Sequence, residues 1–324
     1  MYAPFSYARP GSLEDVLTLL EEDKAHVHAG GTDLLSCLRD HVFEVDTVVS
    51  ISSLKDLRGI RQTSDGGLSI GSMTTITEVA ENTLVRKHSP GLSQAASEVA
   101  SPQLRNQGTL GGNLCQKPRC WYYRGEFHCL RKGGQTCFAV NGENQFHCIF
   151  GGSSCFIVHP SDTAPVLVAL DARVRIRGKN GTRTVAVENF IVPPSENPQR
   201  ETVLEPGEVV TEILVPQTPP SMHSSYRKIR ARRSWDFALA GVALALDLDG
   251  DRIRTGRVVC SGVAPVPWRS REAEQVLTGS RLDDATIAEA AAAAVEPAQP
   301  MTQNRYKVDL LRGAIAEELA AVPN

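Results

Sequence analysis

The sequence predicts an α+β protein of two units, and three observations support this prediction. Helix and strand patterns alternate near the N-terminus, a proline-rich segment, "QTPPSMHSS", follows at 217–225, and the remaining chain places its strands before its helices. Strands followed by helices are typical of an α+β domain. A chain of 324 residues is long enough for two packed cores. We therefore expect one unit at 1–217 and a smaller α+β unit at 222–323.

The first unit opens with a β-α-β pattern. In "SLEDVLTLLEE", Ser12 and Asp15 have the spacing of a helix cap, and apolar residues recur at helical spacing behind them. "AHVHAGG" and "DTVVSIS" are typical of short strands, and "TDLLSCLRD" between them predicts a helix with Thr32 or Asp33 as N-cap. "LSIGSMTTITEVAEN" repeats the pattern more loosely, with a strand ending at Gly71 and a helix from Thr74 or Thr75.

The middle of the chain has one long segment with no regular pattern. "HSPGLSQAASEVA" predicts a helix, but residues 100–161 show neither helical nor strand periodicity. Sixty irregular residues inside a compact domain are unusual unless a bound group organises them. After them, "HPSDTAPVLVALDARVRIRG" predicts turn, helix and strand, "KNGTR" a hairpin turn at Asn180-Gly181, and "EVVTEILVP" a strand.

The second unit begins with strands. "FALAGVALALDLDGDRIRTGRVVC" predicts a hairpin with its turn at Asp249-Gly250, and "DDATIAEAAAAAVE" and "TQNRYKVDLLRGAIAEELAAV" predict two helices. The preceding basic stretch, "YRKIRARRSW", is more typical of a solvated strand or interface edge than of a nucleic-acid-binding patch.

Composition excludes several classes of protein. A formal net charge of -3 and the lack of a basic tail argue against nucleic acid as a partner. No apolar stretch approaches the roughly 20 residues that cross a bilayer, so we expect no membrane association. The N-terminal sequence lacks a basic segment followed by an apolar block, which predicts a cytoplasmic protein with reduced thiols. Export together with a signal-bearing partner remains compatible with the sequence.

Two glycine-rich segments are candidates for a ligand site. They are the first glycine loop, "HAGGTDLL" at 28–35, and the second glycine loop, "NQGTLGGN" at 106–113. Each alone is most simply a tight turn or surface loop. Together they predict a dinucleotide site of a type other than GxGxxG, because glycine permits close backbone approach and a helix N-terminus favours phosphate. In "HPSD", Ser161 or Asp162 can cap the next helix, and the carboxylate can also accept from a ligand.

The cysteines are unevenly distributed. Of eight, Cys37 and Cys260 stand in apolar settings typical of small core residues. The other six fall within 41 residues, here named the cysteine insert (115–155): Cys115, Cys120, Cys129, Cys137, Cys148 and Cys155. No pair has the CxxC spacing usual for zinc sites or ferredoxins. On the residues alone, an iron–sulfur cluster and structural zinc are about equally favoured.

The motifs together resemble one family. "AGGTDLL", "IGSMTTITEV", "RNQGTLGGNLC", "HPSDTAPVLVALDA" and "RARRSWDFALAGVAL" occur in the order found in the FAD-binding medium subunits of molybdenum hydroxylases. That group includes xanthine dehydrogenase, carbon monoxide dehydrogenase and 4-hydroxybenzoyl-CoA reductase, and the resemblance spans nearly the whole chain. It implies a vanillyl-alcohol-oxidase (PCMH)-type FAD-binding domain followed by a carbon monoxide dehydrogenase flavoprotein C-terminal-type α+β domain.

The resemblance also implies site residues. The FAD pyrophosphate would be bound by Ala29, Gly30, Gly31, Thr32, Asp33 and Leu34. Thr74 and Ala100 would lie beside the flavin, and Gly108, Thr109, Gly112 and Asn113 would form a second binding loop. Ser161 and Asp162 match a pair that contacts the adenosine part, and Lys228 is a further flavin contact on a looser alignment.

The cysteine insert resembles the subset of this family that carries an additional [4Fe–4S] cluster. Matching its pattern selects Cys120, Cys129, Cys137 and Cys155 as ligands and leaves out Cys115 and Cys148. The gap from Cys137 to Cys155 is longer than in the aromatic-CoA reductases, which favours the aldehyde oxidoreductase branch.

The function implied is that of an electron-transfer subunit without catalytic side chains of its own. A large partner would hold molybdopterin, and a small partner would hold two [2Fe–2S] clusters. A ferredoxin, NAD or oxygen would accept the electrons. A stand-alone flavin oxidase and a zinc-braced scaffold of the same fold are the alternatives.

Overall fold

The computed structural model describes residues 2–323. The strands are β1 (Ser6–Ala8), β2 (Ala25–His28), β3 (Thr47–Ser50), β4 (Ile60–Gln62), β5 (Leu68–Gly71), β6 (Arg173–Gly178), β7 (Gly181–Ala186), β8 (Val209–Val215), β9 (Met222–Ile229), β10 (Ala240–Asp249), β11 (Arg252–Ser261) and β12 (Trp268–Arg269). The helices are α1 (Leu13–Leu19), α2 (Leu34–Arg39), α3 (Ile76–Glu81), α4 (Thr83–His88), α5 (Pro90–Glu98), α6 (Pro102–Arg105), α7 (Leu110–Leu114), α8 (Trp121–Arg124), α9 (Thr163–Ala169), α10 (Arg271–Leu277), α11 (Asp284–Val295) and α12 (Tyr306–Ala320).

The N-terminal β-α-β pattern forms a small parallel sheet with the order β1-β3-β2. The Ser12 side chain caps α1 by accepting from the Asp15 amide at 3.1 Å, as the sequence predicts. The apolar face of α1, including Val16 and Leu17, packs on Val49 of the central strand β3. The first glycine loop therefore begins at the carboxyl end of β2, a strand whose position is fixed by this sheet.

A five-stranded antiparallel sheet, ordered β4-β5-β8-β6-β7, forms the rest of the first unit. Its buried side chains, such as Ile70 and Ile213, share one core with helices α3, α5 and α9. The turn between β6 and β7 is the predicted hairpin, with positive φ at Gly181 alone. The predicted strand ending at Gly71 and the helix after Thr75 are confirmed as β5 and α3. Thr75 and Glu78 form a capping box at the start of α3.

The second unit is a four-stranded antiparallel sheet, ordered β12-β11-β10-β9, with α10–α12 on one face. Both faces are covered. Val242, Leu244 and Leu246 point into the core shared with α11 and α12. Ala243 and Ala245, at the alternate positions, join the core of the first unit. This two-sided burial explains why "ALAGVALAL" is almost continuously apolar, as in strands covered on both faces.

Several details differ from the sequence predictions. The segment 217–225 is not all linker, because β9 begins at Met222 and pairs along its length with β10. Helices α4 and α10 were not predicted, since each is a short segment held by an N-cap, Asn82 or Ser270. Asp33 occupies the N-cap position of α2, but its side chain makes no capping bond. The boundaries 1–217 and 222–323 stay a prediction.

The α+β fold class is confirmed. Within residues 2–323, no helix has both the length and the apolar character needed to cross a membrane. The cysteine insert contains only short helical turns, so its shape depends on side-chain contacts rather than on regular structure.

Candidate cofactor sites

One cleft of about 1450 Å³ runs between the two glycine loops. The structure brings most of the sequence-predicted FAD residues to its wall: Ala29, Gly30, Gly31, Thr32, Asp33, Leu34, Ala100, Gly108, Thr109, Gly112, Asn113 and Asp162. Thr74, Ser161 and Lys228 are not on the wall and lie behind it. A cleft this large accommodates an extended dinucleotide rather than a small metabolite.

The two glycine loops touch backbone to backbone. A Cβ atom on Gly30 would lie 1.9 Å from the carbonyl oxygen of Gln107, so no larger residue fits there. Gly31 has φ +72°, in the left-handed region that glycine adopts without strain. Glycine at these two positions therefore allows the two loops to pack closely together in the wall of the cleft.

We expect Gly30→Ala to destabilise the protein by about 3 kcal/mol, since the added methyl must push two backbone segments apart. Gly11→Ala is the matched control, because a Cβ at that position meets no atom within 4 Å. Urea unfolding followed by circular dichroism measures both. Equal stability of the two variants would contradict the close packing of the loops.

The second glycine loop is held by the segment that precedes α3. The amides of Leu110 and Gly111 donate to the carbonyls of Thr74 and Ser72, each at 2.9 Å. Thr109 caps the short helix α7 by accepting from the Gly112 amide at 3.2 Å. The Thr74 hydroxyl is engaged with the Gly59 backbone, at 3.0 and 3.1 Å, so this residue fixes the loop from behind.

Asp162 joins the wall of the cleft to a buried polar network behind it. Its carboxylate accepts from Lys228 Nζ at 2.7 Å and from the Tyr226 hydroxyl at 2.8 Å. Burial raises the pKa of Asp162 above its ordinary value, although the Lys228 charge acts in the opposite direction. Ser161 donates to Asn113 Oδ1 at 2.6 Å, which ties "HPSD" to the second glycine loop. Lys228 and Ser161 thus position Asp162 and Asn113.

Asp33 connects the first glycine loop to the cysteine insert. Its carboxylate receives Arg119 at 2.6 Å, Arg124 at 2.7 Å and the Lys117 amide at 2.7 Å. Burial alone raises the pKa of Asp33, but the two guanidinium charges hold it below its ordinary value. The Arg124 side chain also lies 2.9 Å from the Cys37 sulfur. The predicted pyrophosphate residue is therefore also an anchor for the insert.

A second, small cavity lies inside the cysteine insert. All four cysteines selected from the sequence line it: Cys120, Cys129, Cys137 and Cys155. Cys115 instead lines the large cleft, and Cys148 is buried away from the small cavity. Throughout residues 2–323, no three His, Cys, Asp or Glu side chains stand close enough to hold a single metal ion.

The thiols around this cavity differ in acidity. A hydrogen bond from Cys155 lowers the pKa of Cys137 to about 6, and the pKa of Cys155 is raised by the same contact. Burial raises the pKa of Cys120 to about 11. Metals bind thiolate rather than thiol, so a bound cationic group would have to draw the protons off Cys120 and Cys155.

The insert has a further anchor that sequence reasoning missed. Arg131, whose side chain is 2% exposed, donates to Glu201 Oε1 and to the carbonyls of Pro198 and Arg200. Lys117 Nζ lies 2.6 Å from the other oxygen of Glu201. Burial raises the pKa of Glu201, but the charges of Lys117 and Arg131 hold it below its ordinary value. No sequence motif connects Arg131 or Lys117 with Glu201, which lies 70 and 84 positions further along the chain.

The mouth of the cleft carries two exposed aromatic side chains, Trp235 and Phe237. The Trp235 amide donates to the carbonyl of Ala100 at 2.9 Å, which fixes this loop of the second unit against a predicted flavin residue. Both units therefore contribute to the cleft.

Comparisons with known proteins give the class of protein that this fold and cleft define. The model for the FAD binding domain in molybdopterin dehydrogenase matches residues 3–218, and that for the CO dehydrogenase flavoprotein C-terminal domain matches residues 224–320. The protein is an FAD-binding protein of the oxidoreductase class. The chain belongs to the family of FAD-binding medium subunits of molybdenum hydroxylases.

Individual relatives agree with this assignment. The aldehyde oxidoreductase FAD-binding subunit PaoB of Escherichia coli K12 is 34% identical over 98% of this chain and 97% of its own length. The xanthine dehydrogenase FAD-binding subunit of Escherichia coli O157:H7 is 30% identical over 87% of this chain and 82% of its own length. A carbon monoxide dehydrogenase structure from Hydrogenophaga pseudoflava superposes with TM-score 0.79 at 25% identity, covering 99% and 98% of the two chains. The predicted FAD-binding fold is confirmed.

Proposed function

We propose that this chain is the electron-transfer subunit of a three-component molybdenum hydroxylase and that its cysteine insert holds a [4Fe–4S] cluster. The observation that carries the proposal is the convergence of Cys120, Cys129, Cys137 and Cys155 on one cavity, although they are spread over 36 positions of the sequence. This cavity is joined to the flavin cleft through Arg124 and Asp33. A second redox centre next to the flavin is what an electron relay requires.

The cavity suits a cluster better than zinc. Sulfurs around one tetrahedral zinc ion lie about 3.8 Å apart, given bonds of about 2.3 Å. The described residues do not gather three ligands so tightly, yet all four cysteines face one space. A cubane takes one cysteine at each of four irons, which matches four cysteines that line one space.

The chain's own residues bind and orient rather than react. FAD, when bound, supplies the exchange of electrons. The glycine loops would hold its phosphates, with Thr109 and Asn113 as uncharged partners, and Asp162 would accept hydrogen bonds from its adenosine part. Thr74, Ser161 and Lys228 would act through these residues, and the aromatic side chains Trp235 and Phe237 would limit access of water.

The partners proposed are a large subunit with molybdopterin and the substrate site, and a small subunit with two [2Fe–2S] clusters. Relatives are named as subunits or medium chains, including the medium chain of carbon monoxide dehydrogenase in Hydrogenophaga pseudoflava, 26% identical, which favours a subunit over a stand-alone oxidase. A ferredoxin, NAD or oxygen would be the acceptor. The compartment proposed is the cytoplasm, where thiols stay reduced.

Metal analysis of anaerobically purified protein tests the proposal. We expect flavin bands together with about four iron and four sulfide per chain. Zinc in place of iron would make the insert a structural brace and contradict the relay.

Single alanine substitutions then test the ligand set. Cys120→Ala, Cys129→Ala, Cys137→Ala and Cys155→Ala should each lose most of the iron, because each removes one of four ligands. Cys115→Ala and Cys148→Ala are the controls and should keep it, since neither side chain lines the small cavity. Loss of iron from either control, at unchanged folding, would show that the ligand set is wrong.

A further inference from the structure

His147 lies against one of the proposed cluster ligands. Its Nε2 atom is 3.3 Å from the sulfur of Cys120, within hydrogen-bonding distance for sulfur. The side chain is buried, and its other nitrogen, Nδ1, has no hydrogen-bond partner in the part of the chain described. Cys120 is thus the side chain that meets this ring within hydrogen-bonding distance, and the backbone of Asn144 is a further polar neighbour.

The direction of this contact depends on the state of the sulfur. A free Cys120 thiol has a proton that can be donated to Nε2. A thiolate that ligates iron has none, so the proton in the contact must then be on Nε2. The histidine is consequently a donor to sulfur when the cluster is in place.

We infer that His147 donates an N–H···S hydrogen bond to Cys120 and thereby raises the reduction potential of the [4Fe–4S] cluster; this inference rests on the proposed function. Hydrogen bonds to ligating sulfurs are among the factors that set cluster potentials. Such a bond draws electron density from the thiolate and favours the more negative, reduced form of the cluster. His147 is a positioning and tuning residue, since it does not itself ligate iron.

The second unit holds this histidine in place. Asn304 donates to the carbonyls of His147 and Cys148 at 3.0 and 3.1 Å. Lys307 donates to the neighbouring carbonyl of Phe146 at 3.1 Å.

A buried asparagine continues the same network. The backbone carbonyl of Asn144 accepts from the His147 backbone amide at 3.0 Å, and its side-chain Oδ1 accepts from the Gln303 backbone amide at 2.9 Å. Asn144 is fully buried. The backbone on both sides of the ring is thus fixed by residues 303–307. The loop before α12 therefore sets the environment of a cluster bound by the other unit.

Redox titration of the holoenzyme, followed by electron paramagnetic resonance, tests this inference. His147→Leu removes the donor and should shift the potential of the cluster to more negative values at unchanged iron content. His147→Gln, whose amide reaches about as far as Nε2, should restore much of the wild-type potential. His159→Leu is the control, because His159 is also buried and its Nε2 has no hydrogen-bond partner among residues 2–323.

The outcomes separate this inference from the proposed function. Full iron with an unshifted potential in His147→Leu would overturn the role of His147 and leave the cluster proposal standing. A wild-type protein with no iron would overturn both. If His147→Leu does not fold, wild-type protein labelled with 15N-histidine gives a second measurement. We expect a weak nitrogen coupling to the reduced cluster that is absent from His147→Gln, and its absence from the wild type would refute the hydrogen bond.

Discussion

Replacing Lys228 with methionine should destabilise the protein by about 3–5 kcal/mol, because it leaves the buried carboxylate of Asp162 without its positive partner. The Lys228 and Asp162 side chains are 1% and 6% exposed. Lys228 also donates to the carbonyl of Glu98 at 3.0 Å, which methionine cannot do. The Tyr226 hydroxyl would be the remaining donor to Asp162 from this network.

The pH dependence of this variant gives a readout that a packing defect would not. Burial raises the pKa of Asp162 even beside Lys228, and loss of Lys228 should raise it further. A carboxyl group with a raised folded-state pKa stabilises the fold below its unfolded pKa, and this stabilisation is lost as pH rises through the folded value. The deficit of Lys228→Met should therefore be largest at neutral pH and shrink toward pH 4.

Chemical unfolding at several pH values measures this deficit. Lys228→Met combined with Asp162→Asn should recover part of the stability, because no buried charge then remains at the pair. Because Asp162 lines the cleft, we also expect the single variant to bind FAD less tightly. A deficit below about 1 kcal/mol that is independent of pH would contradict a buried charge pair.

The parts of the fold that local pattern determines were predicted. α1 follows from the Ser12 cap and an apolar stripe, and α12 from a long helical period. β9 was missed in part because only its middle, Ser224 to Tyr226, is fully buried, so it has no clear alternation. β10 was found as a strand, but nothing in it distinguishes one covered face from two. Burial on a second face depends on where the other unit docks.

The site was predicted where glycine constrains the backbone and missed where charge acts over a long range. Gly30 and Gly31 can be found by motif because close approach and positive φ admit no other residue. The roles of Arg124, Arg131 and Glu201 depend on partners 70 to 91 positions away, and a charged residue in a loop is usually solvated. Lys228 donates to Asp162, a bond that the sequence does not predict, and its contact with the flavin stays a prediction.

The same long-range charges make Asp33 the residue through which the two cofactor sites should respond together. It lines the large cleft, and its carboxylate holds Arg124 at the end of α8, whose N-cap is Cys120. Arg119, in the same insert, binds the same oxygen. Neutralising this carboxylate leaves two partly buried guanidinium groups without their shared counter-charge. The first glycine loop and the cysteine insert then lose the ion pairs that connect them.

Asp33→Asn should therefore cost about 2–4 kcal/mol of stability and lower both FAD and iron content. Asp40→Asn is the control. It removes an exposed ion pair with the adjacent Arg39 and should cost about 0.5 kcal/mol or less. The pKa of Asp33 lies below its ordinary value, so its contribution is present above about pH 4 and is lost as pH falls through the lowered value. The gap between wild type and Asp33→Asn should be constant from neutral pH to about pH 4 and close below it. Unfolding curves with flavin and iron analysis measure this. Loss of flavin with full retention of iron would show that the two sites are independent of each other.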